Sequence, residues 1–125
     1  MLSVAYVFAG LAALVHVYIF WLEALAFGTA GRKAFGVSAE DAAIMKPWAY
    51  NQGFYNLFLA IGTAVGLGIA HANRDAGIAL ITLATGSMLA AALVLITSDP
   101  AKARGALVQG LFPLVGLVSL GLWSL

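Results

Sequence analysis

A histidine and a glutamate stand seven residues apart in an apolar run, HVYIFWLE from His16 to Glu23. These two side chains can give and take protons, the pairing that general acid–base chemistry uses. Seven helical steps of about 100° return to nearly the same face while the axis advances about 10.5 Å. His16 and Glu23 therefore share a stripe, bordered by Phe20 and Phe27, without being able to touch. A second polar set is NQGFYN, Asn51 to Asn56. On a helix, Gln52 and Asn56 share one face, and Asn51 and Tyr55 share an adjoining one. Gln109, further along, is the third source of an amide. The candidate site is thus Glu23 and His16 as proton donor and acceptor. Asn51, Gln52, Tyr55, Asn56 and Gln109, with Phe20 and Trp21, would line and orient a ligand.

The elements that must carry these residues follow from composition. Of 125 residues, 63% are hydrophobic and 9% charged, against about 25% charged in ordinary soluble domains. Apolar segments of about 20 residues recur, the length that crosses a hydrocarbon core about 30 Å thick. The fold class expected is all-α, an integral membrane four-helix bundle forming one transmembrane domain over 1–125. Spans are expected at about 2–27, 47–71, 76–97 and 105–123, and each must be helical, because unpaired backbone groups in lipid cost several kcal/mol each. Ala24-Leu25-Ala26 resembles a signal-peptide cleavage site. No basic residue precedes that run, however, and it is longer than the usual apolar core of such a peptide, so a retained span is expected.

In the first loop, Ser38-Ala39-Glu40-Asp41 has the pattern of a capping box. It predicts a short amphipathic helix from about Ala39 to Met45, ending before Pro47 opens the second span. Trp48, Tyr50 and Trp123 fall near span ends, as interfacial aromatics do. Arg32, Lys33, Lys46, Lys102 and Arg104 lie in the first and third loops, and Arg74 alone lies in the second. This bias predicts a multi-pass protein of the cytoplasmic (inner) membrane with both termini outside and the first and third loops cytoplasmic. Gly62-x-x-x-Gly66 and the glycines of the fourth span predict close packing inside the bundle.

The second and fourth spans enter from the same side. Glu23, Gln52 and Gln109 are therefore expected in one layer, with Asn56 deeper and Thr97 able to join. An ionised carboxylate in hydrocarbon is costly, so Glu23 should face the interior and find amides there. Thr85 or Tyr18 could satisfy His16. The chain lacks cysteine, a Gly-x-Ser-x-Gly elbow and a Glu-x-x-His pair. No metal, haem or other cofactor is expected, and a net charge of +1 gives no reason to expect a nucleic-acid partner.

HVYIFWLE, KAFG from Lys33 to Gly36, NQGFYNLFLA from Asn51 to Ala60, and Gln109 with Pro113 together resemble domain-of-unknown-function family 1304, small four-helix bacterial membrane proteins. The likeness spans nearly the whole chain. It implies fold and membrane location and supplies no reaction. The residues themselves suggest a pocket for a small lipophilic molecule in the bilayer. Its chemistry could be cofactor-independent acid–base catalysis, such as isomerisation, cyclisation or epoxide opening. Two alternatives are a proton- or ion-coupled transporter or channel working as a homo-oligomer, and a structural or accessory subunit. The polar layer would then be helix-to-helix glue.

Overall fold

A chain this apolar satisfies its backbone by winding into helices, and it does so almost throughout. The computed structural model describes residues 1–125. It consists of α1 (Leu2–Phe20), α2 (Arg32–Phe35), α3 (Ala39–Ile69), α4 (Arg74–Ser98) and α5 (Ala103–Ser124). Four helical segments are long and apolar enough to cross a membrane: Leu2–Leu25, Ala39–Ile69, Arg74–Ser98 and Pro100–Ser124, with mean hydropathies of 2.0, 1.3, 2.2 and 1.8. Consecutive long helices run antiparallel. α1 packs on α3 and α5, and α4 packs on α3 and α5, which closes a four-cornered bundle.

Local signals set the helix ends. The Ser38 Oγ accepts the Asp41 N–H at 3.1 Å, and the Asn73 Oδ1 accepts the Ala76 N–H at 3.1 Å. Each such cap contributes about 1 kcal/mol. α2 stops at Gly36, whose φ of 67° suits a residue without a Cβ, and the Val37 N–H closes the turn on the Arg32 carbonyl at 2.9 Å.

The loop helix expected from Ala39 to Met45 forms as the first turns of α3 rather than as a separate element. Pro47 lies inside the helix. Pro47 denies a donor to the Ala43 carbonyl, yet one lost bond near the boundary does not end a helix held by packing further on. At 31 residues, α3 is about 46 Å long and outreaches the hydrocarbon.

The interior is built from small residues. Only 27 of 125 residues are buried, since a thin bundle leaves its outer side chains to lipid. Ala5, Ala9 and Ala12 of α1 are fully buried. A Cβ on Gly66 would lie 2.9 Å from the Gly77 carbonyl oxygen, and one on Gly110 would lie 2.8 Å from the Ala92 Cβ. Backbone therefore meets backbone between α3 and α4, and nearly so between α4 and α5. The Gly-x-x-x-Gly stretch packs inside the bundle, as expected.

Candidate functional site

Glu23 sits where α1 stops being an ordinary helix. After Phe20 the backbone widens into two turns, Trp21–Leu25 and Phe27–Gly31, separated by Ala26 at φ −125° and ψ 24°. The Ala26 N–H reaches the Trp21 carbonyl at 2.9 Å, and the Gly31 N–H reaches that of Ala26 at 2.8 Å. Both bonds span five residues instead of four. Such wide turns are rare and occur often at functional positions. Any Cβ on Gly31 would collide with the Leu22 carbonyl oxygen, so glycine is what lets the second wide turn fold onto the first.

Gly53 brings α3 against this turn. A Cβ there would come within 2.9 Å of the Ala24 Cβ and backbone nitrogen and within 3.2 Å of the Glu23 Cβ. One turn deeper, the buried Asn56 donates through Nδ2 to the Glu23 Oε2 at 3.0 Å. The same amide nitrogen contacts the Gln52 carbonyl at 3.2 Å. Glu23 is half-buried. The bond engages one carboxylate oxygen, and the acid faces a neighbouring helix as expected.

Aromatic rings flank this pair across both helices. Phe20 and Phe54 meet edge to face with centroids 5.2 Å apart, and Tyr50 lies 5.0 Å from Phe54. Trp21 stacks on Tyr18 at 6.0 Å, on the exposed side of α1.

The other expected partners lie elsewhere. Asn51, Gln52 and Tyr55 are exposed on the bundle surface, and Gln52 meets Asn56 through its backbone alone. Thr97 is exposed and bonds the Leu93 carbonyl of its own helix at 2.7 Å. Gln109 does not share the Glu23 layer. Phe8 meets Phe112 at 5.9 Å, and a Cβ on Gly116 would lie 3.5 Å from the Ala9 nitrogen. That antiparallel register sets Gln109 opposite the turn from Leu11 to His16, about two turns from Glu23.

His16 is fully buried, at 1% exposure. Its Nδ1 contacts the Ala12 carbonyl at 2.8 Å. A carbonyl can only accept, so Nδ1 carries a proton, and in the neutral ring Nε2 is the acceptor. Neither expected hydroxyl serves it in the way foreseen: Thr85 bonds the Ile81 carbonyl at 2.7 Å, and Tyr18 is 53% exposed. Pro113, buried in α5, has no N–H for the Gln109 carbonyl. The polar residues thus fall on two levels, Glu23 with Asn56 and His16 with Gln109. Sequence reasoning assigned no role to Gly53, Gly31 or Pro113 in shaping these levels. The glycine inside Asn-Gln-Gly was the available signal for the first.

The family model described as "Protein of unknown function (DUF1304)" matches residues 10–121. That stretch includes both polar levels, both wide turns, the whole of the second and third spans and most of the first and fourth. No curated protein and no solved structure matches the chain.

Proposed function

Because the chain belongs to the DUF1304 family of proteins of unknown function, we propose its activity from the chemistry of the site alone. The protein binds the polar end of a small lipophilic molecule at Glu23 and Asn56 and moves a proton on it. The observation that carries this reading is the 3.0 Å bond from Asn56 to Glu23 inside a membrane span. An acid in such a segment is costly, and one that the chain keeps there is a functional candidate by default. Asn56 holds Oε2, and Oε1 is the atom that gives or takes the proton. The ring pair Phe20 and Phe54 supports an apolar ligand body beside the acid, and no cofactor is needed. His16, one level deeper, is the counterpart acid or base for a molecule that reaches across the roughly 10 Å between the two groups.

The whole chain acts as one transmembrane domain in the inner membrane, with its basic loops in the cytoplasm and both termini outside. The deciding experiment compares small molecules extracted from the purified wild type and from Glu23→Gln by mass spectrometry, alongside unfolding in detergent. A lipophilic compound that co-purifies with the wild type and is lost from a folded Glu23→Gln protein is the expected result. Identical extracts with a lower melting temperature would reduce the pair to helix glue.

A further inference from the structure

On the side of the bundle opposite the α1–α3 pair, the outer surfaces of α4 and α5 diverge into an apolar groove of about 410 Å³. Ala92, Ala106 and Gly110 line its bottom, and Leu93, Leu107 and Leu111 rise as exposed walls. The close approach of Gly110 to Ala92 makes the floor, since small residues there let the larger neighbours stand proud on either side. The α5 lining runs from Ala103 to Leu114, about 16 Å along the axis at 1.5 Å per residue. That is the depth of one leaflet of a hydrocarbon core about 30 Å thick.

The groove begins at the end of the bundle that carries most of the cations. Lys102 and Arg104 bracket Ala103 at its mouth. The Lys102 Nζ donates to the Phe35 carbonyl at 3.1 Å, which draws the loop with Arg32 and Lys33 toward the same end. Asp99 is the one acid in the connector, and its carboxylate is turned onto the Ala101 N–H at 3.2 Å. The mouth therefore carries net positive charge and the shaft carries none.

We infer that the α4–α5 groove is a binding site for one anionic phospholipid, one of its two acyl chains lying along the groove and its phosphate held at Lys102 and Arg104. A second copy of the chain would cover the groove equally well with apolar side chains, but it would meet the same cationic mouth with its own cations. A headgroup of opposite charge matches the mouth, and a single chain matches the length.

Native mass spectrometry of the intact protein tests this. The protein is released from micelles containing equal amounts of phosphatidylglycerol and phosphatidylcholine with identical acyl chains. One phosphatidylglycerol retained in preference to phosphatidylcholine is expected. Ala103→Leu, at an exposed groove position, should remove the retained lipid without disturbing the core. Arg104→Gln should cut the headgroup preference about fivefold, the equivalent of about 1 kcal/mol. Equal retention of both lipids, retention unchanged by Ala103→Leu, or a lipid-free dimer would each overturn the proposal. The groove and the Glu23 pair share no residue, so either assignment can fail alone.

Discussion

Asn56 reaches Glu23 from a helix that Gly53, three residues earlier, holds against Ala24: the 3.0 Å bond and the 2.9 Å clearance at Gly53 are parts of one contact. A backbone with no Cβ brings α3 close, and the amide one turn on then meets the acid. The hydrogen bond and the packing are coupled here, so substitutions at the two positions should be distinguishable by what they spare.

Asn56→Ala removes the donor and leaves the helices free to close. Hydrogen bonds between membrane helices average about 0.6 kcal/mol and reach about 1.7, so a loss of about 1 kcal/mol is expected in denaturant titration of the detergent-solubilised protein. A double-mutant cycle with Glu23→Ala should show coupling of similar size. Independent, additive losses would mean that the bond contributes nothing.

Gly53→Ala acts on the backbone approach instead. The new methyl meets the Ala24 Cβ and nitrogen, and overpacking of this kind costs about 1–3 kcal/mol. Gly68 is the contrast: it is exposed and has nothing within 4 Å of a built Cβ. Gly68→Ala should therefore stabilise by about 0.4–1 kcal/mol. Equal effects at the two positions would contradict the packing described.

Pro47 interrupts the hydrogen-bond ladder of α3 close to its entry into the membrane. Pro47→Ala supplies an N–H for the Ala43 carbonyl, and an interior proline costs a helix about 3 kcal/mol. Amide exchange between Ala43 and Asn51 should slow in the variant. An unchanged exchange pattern would show that the first turns of α3 are held by other contacts.

Topology can be read by labelling, since the chain has no cysteine of its own. Lys33→Cys and Lys102→Cys should react with an impermeant thiol reagent only after the cells are opened, and Ala72→Cys should react in intact cells. The reverse pattern would overturn the orientation drawn from the basic loops.

Much of this architecture is written in the sequence at low resolution. Runs of apolar residues mark the four spans, and the Ser38 and Asn73 caps mark two helix starts. The pairing of Glu23 with Asn56 is also legible, because a costly carboxylate must turn toward an amide on the neighbouring span. Gln109 is not legible in the same way. Its level depends on how α5 is set against α1, which Phe8, Phe112 and Gly116 determine by contact, and counting from span ends ignores that offset. Pro47 misleads for a related reason, since a local preference to end a helix is outweighed by packing deeper in α3. The wide turns after Phe20 carry no composition signature, because they depend on which carbonyl each amide selects.

The Trp21–Leu25 and Phe27–Gly31 turns also give the first span slack in chain length. Elsewhere in a bundle, removing one residue swings every later side chain by about 100°. Between Ala24 and Thr29 the backbone holds surplus length, so deleting Ala26 would let the ladder tighten to ordinary pitch while Glu23 keeps its alignment with Asn56. The acid thus stands within the first of two turns that can absorb a change in chain length.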